Sequence, residues 1–218
     1  MIALPCGHTS TLRDGALSFT STAEHIMGMP AHRATKARWT EEEFYRARDA
    51  APPGERWELV DGEVLVTPSP HWTHQRAVVR LTVLLDAYAR AQGIGEVFAS
   101  PLDVNPEPGV VLQPDIFVVP NGELRKMDDT VRRLLLAVEN LSPGSARHDR
   151  VTKRLSYQRS RVPEYWIIDD RSQTVERWRP DDDRPEILAD RVVWQPDAAR
   201  EPFVLDLPEF FAELLPEE

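Results

Sequence analysis

The sequence predicts an α/β fold: a single domain built on a central mixed β-sheet flanked by helices. Three observations predict it. Short β-rich runs alternate with helical patterns along the chain, as they do when strands and helices share one sheet. Two of these runs, residues 113–119 and 134–139, are short, largely apolar and bounded by turn signals, the pattern of buried strands. A length of 218 residues supports one sizeable core rather than two.

Each element has its own signal. Residues 1–37 are rich in Ser, Thr, Gly and Ala and show no sustained period, so they read as a loose, disordered arm. Met27 or Met29 is an alternative start, which leaves open whether residues 1–28 are translated. Thr40 and Glu43 have capping-box spacing, and the short helix they start should run to about Asp49, before Pro52-Pro53-Gly54. Asp61-Gly62 between two β-rich runs marks a hairpin over residues 57–66. Pro68-Ser69-Pro70 breaks the chain. A long helix follows from about Trp72 to Ala91, with Val79, Leu81, Val83, Leu84, Leu85 and Tyr88 forming a broad apolar face.

Beyond Gly93 and Gly95, residues 96–99 and 102–104 read as short strands and 105–109 as a Pro-rich turn. After the second apolar run, loop 141–144 leads into a helix from about Ala146 to Arg161. A strand over 164–169 then pairs with 174–179. The main domain therefore spans residues 38–180. Residues 181–218 form an acidic extension whose short strand and helix pack on that domain.

Composition narrows the class. With 41% hydrophobic and 28% charged residues, the chain matches soluble globular proteins. Cys6 is the lone cysteine, which excludes an internal disulfide framework and a Cys-rich zinc site and fits a reducing cytoplasm. No apolar stretch reaches the ~20 residues of a membrane span, and the N-terminus lacks a signal-peptide pattern. The net charge of −10 is uneven: residues 180–218 hold 12 acids and 3 arginines, which accounts for −9 of it. Residues 147–161 instead carry Arg147, Arg150, Lys153, Arg154, Arg159 and Arg161 against Asp149 alone. That strip reads either as a solvated helix face or as a surface for a phosphate backbone.

Asp115 and Glu139 carry the chemistry. Each adjoins or ends an apolar strand, and an unpaired buried charge costs several kcal/mol or more, on the order of its desolvation. Two acids converging near a lysine, here Lys153, are the ingredients of a divalent-metal site acting on a phosphodiester.

Several segments together resemble the Uma family of bacterial restriction-endonuclease-like proteins, within the PD-(D/E)xK nuclease superfamily. They are Glu58-Leu59-Val60-Asp61-Gly62-Glu63, Ser69-Pro70 with His74, Ser100-Pro101-Leu102-Asp103-Val104 and Gln113-Pro114-Asp115. The pattern continues through Val138-Glu139-Asn140-Leu141-Ser142-Pro143, Asp149 with Lys153 and Tyr157, and residues 162–169. The resemblance implies a restriction-endonuclease-like fold and an endonuclease that cuts phosphodiesters, in DNA by analogy; a cytoplasmic location is expected from the lone cysteine. It also implies Mg²⁺, or Mn²⁺, bound by Asp115, Glu139 and the Asn140 carbonyl. A homodimer is compatible with cutting two strands. The alternative is an inactive nuclease-like scaffold that binds nucleic acid or a protein partner.

In the commonest superfamily pattern the lysine stands two residues after the second acid, where this chain has Leu141. The resemblance to the Uma family implies that the role has moved to Lys153. Asp149, Lys153 and Tyr157 share one helix face at i, i+4, i+8, but Val151 and Leu155 look like core positions on another. Periodicity therefore leaves Lys153 open between site and surface. Glu58 is either an accessory acid or a strand glutamate facing solvent, and Gln113 is a further accessory candidate.

Other residues carry plainer expectations. His71 and His74 lack a third ligand, so capping or surface roles are expected. His148 is expected to be solvated. Ser142 and Ser145 lack the His/Asp partners of a nucleophile. Trp57, Trp166 and Trp178 read as packing aromatics.

Overall fold

Capping and turn chemistry fix the first elements in the computed structural model, which describes residues 32–33, 38–67, 71–123 and 130–214. The Thr40 side chain accepts from the Glu43 N–H, and the Glu43 carboxylate accepts from the Thr40 N–H. This reciprocal box starts helix α1 (Glu41–Asp49). Asp61 and Gly62 both adopt left-handed φ, 53° and 78°, as a type I′ turn demands. Strand β2 (Arg56–Val60) therefore folds back on β3 (Glu63–Thr67). The far side of β3 pairs with β1 (His32–Arg33), so two residues of the expected arm join a strand. Residues 1–31 and 34–37 of that arm lie outside the described residues, as does Pro68-Ser69-Pro70.

Helix α2 (Trp72–Gln92) is capped by His71 and ends at Gly93 in left-handed conformation, φ 62°. It buries His74, Ala77, Val78, Leu81, Leu85 and Ala89. Val79 and Val83 do not belong to that stripe: they are 60% and 56% exposed, because the core contact occupies only one side of a helix that is apolar on two.

The main sheet runs β4 (Gly95–Ala99), β5 (Ile116–Pro120), β6 (Leu136–Asn140), β7 (Glu164–Asp169), β8 (Thr174–Trp178) and β9 (Glu186–Leu188). All neighbours are antiparallel except β6 and β7, so the sheet is mixed. A Cβ at Gly95 would stand 2.1 Å from the Val119 carbonyl oxygen, which explains the glycine. The expected strand at 102–104 reduces to isolated bridges from Val104 to Leu112 and Val131. The chain closes with the hairpin β10 (Arg191–Trp194) and β11 (Phe203–Asp206), then α4 (Leu207–Leu214).

Alternation splits the sheet into two faces. Ile116, Val118, Leu136, Val138, Trp166 and Ile168 pack with α2, β10, β11 and α4. On the other face, Phe117, Ala137, Tyr165 and Ile167 meet Val60, Leu112 and Tyr157. A third, smaller core gathers Phe44, Leu59, Val64 and Val111. Tyr157 lies on α3 (Arg154–Arg159), which continues a π-helical turn over His148–Lys153. Among the described residues no helix is long and apolar enough to cross a membrane.

Candidate functional site

Strand register brings the two acids together. Ile116 pairs with Val138 in antiparallel β5–β6, so continuing the ladder sets Asp115 opposite Glu139. Glu139 shares the face of Ala137, and Asp115 the face of Phe117, which is the face covered by α3. Glu58, two residues before Val60 on β2, faces the same space and is fully buried.

Lys153 fills that space. Its Nζ lies 2.8 Å from Glu58 Oε2, 3.1 Å from Glu139 Oε1 and 3.2 Å from Asp149 Oδ1, and the lysine is 1% exposed. The apolar signal at Val151 and Leu155 was misleading: those residues are 47% and 43% exposed, while Asp149, Lys153 and Tyr157 face inward. The wide i→i+5 turn helps to present Asp149 and Lys153 together, since the Arg154 N–H reaches back to the Asp149 carbonyl. Tyr157 donates its hydroxyl to Glu139 Oε1 at 3.4 Å, and Tyr165 donates to the Asp149 backbone carbonyl at 3.1 Å.

Asp115 has a different set of partners. Arg56 Nη1 donates to Oδ1 at 2.5 Å, while the Asn140 backbone N–H at 2.8 Å and His74 Nε2 at 3.0 Å reach Oδ2. Arg56 and His74 are the two residues that sequence reasoning missed. His74 is buried against Asp115 instead of lying at the surface, because the start of α2 abuts the N-terminal end of β5. His71 does act as a cap, as expected.

The other candidates sort by element. Gln113 touches the cluster through its main chain: its N–H donates to Glu58 Oε1 at 2.8 Å and its carbonyl accepts from Arg56. Its side chain turns to Asp103, which also holds Arg48. The Asn140 side chain points toward the His74 carbonyl, away from Lys153. The basic strip offers less charge to a phosphate backbone than its composition implied. Arg150 is paired with Asp169 and Glu176, Arg159 with Asp61 and Glu107, and Arg161 with Asp181, while Arg154 lies over the Trp178 ring.

Electrostatics divides the acids. Burial opposes ionisation of Asp115, but the His74 hydrogen bond and the Arg56 charge outweigh it and hold its carboxyl well below the usual range. Burial pushes Glu139 well above that range, with Lys153 opposing, and raises Asp149. Burial also works against the Lys153 charge, yet Glu139, Glu58 and Asp149 outweigh it, so the ammonium holds its proton above the ordinary lysine value.

Among the described residues no three His, Cys, Asp or Glu side chains form a ready-made metal cage. The donor chemistry nevertheless fits a hard dication. Four carboxylates, those of Glu58, Asp115, Glu139 and Asp149, gather around two basic side chains, Arg56 and Lys153. Glu139 Oε2 is buried without a hydrogen-bond partner among the described residues.

Fold and site together define a restriction-endonuclease-like α/β protein with a buried carboxylate–lysine cluster. The chain belongs to the Uma2 family, described as "Putative restriction endonuclease", whose model matches residues 41–210. Its fold is similar to a crystal structure from Anabaena variabilis ATCC 29413, described as "a putative nuclease belonging to DUF820". The two chains share 20% identity at a TM-score of 0.67, over 81% of this chain and 99% of the other. No curated protein matches the chain. The family assignment supports a nuclease role.

Proposed function

We propose that this chain is an endonuclease that hydrolyses phosphodiester bonds in DNA with the help of Mg²⁺ or Mn²⁺. One observation carries the reading: the Lys153 ammonium sits within 3.2 Å of carboxylates from three separate elements, on the sheet face that Asp115 and Glu139 share. A buried constellation this polar adds little net stability compared with apolar packing, so its presence points to chemistry.

Asp115 and Glu139 would hold the ion, with the Asn140 carbonyl as a further oxygen donor. A bound dication there would polarise the phosphoryl oxygen and stabilise the leaving oxyanion. Lys153 is firmly protonated, so its role is to donate: it orients the attacking water and stabilises charge developing on the phosphate. Glu58, Asp149 and Tyr157 are positioning residues that fix Lys153 and Glu139. Arg56 and His74 position Asp115.

A second reading, an inactive nuclease-like scaffold, draws on one observation. Asp115 already accepts from Arg56, His74 and the Asn140 N–H, which leaves little of its carboxylate for an ion. Supercoiled plasmid and single-stranded DNA, each incubated with the protein in Mg²⁺, Mn²⁺ or EDTA, separate the two. The expected outcome is metal-dependent cutting that Asp115→Ala and Lys153→Ala both abolish. Absence of cutting, or equal cutting by the variants, favours the scaffold.

A further inference from the structure

Helix α2 has an outer face that no core of the described residues covers. Trp72, Val79 and Val83 are 51%, 60% and 56% exposed. They fall on one side of the helix with Arg76, Asp86 and Arg90, while Ala77, Leu81 and Leu85 bury the opposite side. Three large exposed apolar side chains in one helical stripe are the usual sign of a contact surface.

The order of residues along the stripe identifies its occupant. A two-fold contact uses the same residues twice, so the stripe must complement itself. An antiparallel pairing centred between Val79 and Val83 satisfies this condition. Val79 of one copy meets Val83 of the other, Arg76 meets Asp86 at both ends, and Trp72 meets the Arg90 guanidinium. A parallel two-fold pairing would set Arg76 against Arg76 and Asp86 against Asp86, which is repulsive. Asp86 already pairs with Arg90 within the helix at 2.8 Å, so the cross-helix contact extends an existing pair.

We propose that the outer face of α2 is the docking surface for a second copy of this chain, forming an antiparallel α2–α2 pair. His74, which touches Asp115, is seven residues from the centre of that pair. With a rise of ~1.5 Å per residue, the two sites stand about 20 Å apart along the helix axes. One helix pair buries less than the ~800 Å² per partner of a standard stable interface, so the dimer is weak and reversible.

Sedimentation equilibrium of the full chain, across micromolar to submillimolar loading, tests this. The wild type is expected to show a monomer–dimer equilibrium. Val79→Glu combined with Val83→Glu should weaken association at least about tenfold, with unchanged circular dichroism because both positions are solvent-facing. Arg76→Glu alone should also weaken association, and adding Asp86→Arg should restore it. A dimer that persists in the Val79→Glu/Val83→Glu variant overturns the proposal. So does a wild type that is monomeric throughout, which would leave the stripe to residues 1–31 as an occupant.

Discussion

The two faces of the central sheet solve burial differently: one packs apolar side chains alone, and the other sets buried charges beside its apolar cluster. Toward α2 and α4 the sheet presents Ile116, Val118, Leu136, Val138, Trp166 and Ile168, and the layer above answers with Trp194, Phe203, Phe210 and Phe211. Toward α3, the same strands lead to Asp115 and Glu139, and the covering helix answers with Asp149 and Lys153. The apolar face gains from every contact it makes. The charged face must overcome the desolvation of each group before it gains anything. Both sides of the sheet therefore carry apolar packing, and the α3 side alone adds a buried charged cluster to it.

The strongest test removes the hub of the charged face. Lys153→Ala leaves Glu58, Glu139 and Asp149 buried without their cation and should cost about 3–5 kcal/mol in chemical denaturation. Replacing the charges together, with Glu58→Leu, Glu139→Leu and Lys153→Met, should recover that loss or exceed wild-type stability by about 1–4 kcal/mol, with no cutting activity. A triple variant less stable than Lys153→Ala would show that the charged face also maintains the fold.

A smaller effect lies in the pH dependence, measured in EDTA. The raised pKa of Glu139 means that the native chain binds more protons there than the unfolded chain does. Stability from this group is therefore present below its unfolded value of about 4.3 and declines as pH rises above it. Asp115 has the opposite sign: its contribution is present above an unfolded value of about 3.9 and is lost as pH falls through its depressed native value. Relative to wild type, Glu139→Gln should gain stability progressively from about pH 4.3 toward neutrality. A flat difference would show that Glu139 ionises normally. The smallest expected change is on the apolar face, where Ile168→Val should cost about 0.5–1.5 kcal/mol and leave cutting untouched.

The parts that could be read from the sequence were those encoded locally. The α1 capping box, the Asp61-Gly62 turn and the apolar strands each depend on neighbours within a few residues. Asp115 and Glu139 were legible because a carboxylate interrupts a run that is otherwise apolar. Lys153 was legible only through family resemblance, since Val151 and Leu155 give the helix an apolar face that turns out to be exposed. Arg56 reaches Asp115 across 59 positions and His74 reaches it across the end of α2, contacts set by tertiary packing that no local pattern encodes. Residues 102–104 illustrate the reverse error, a β-like run that forms only isolated bridges.

The acidic C-terminal layer has a consequence for how a polyanion could meet this protein. Its apolar residues, from Val192 to Leu214, are fastened to the α2 side of the sheet, and most of its carboxylates are left toward solvent. Asp181 instead reaches the α3 side, where it pairs with Arg161, so the extension's negative charge is not confined to one side of the sheet. A polyanion approaching these exposed carboxylates would meet repulsion. That repulsion would fade as salt shortens the ~8–10 Å reach of the field.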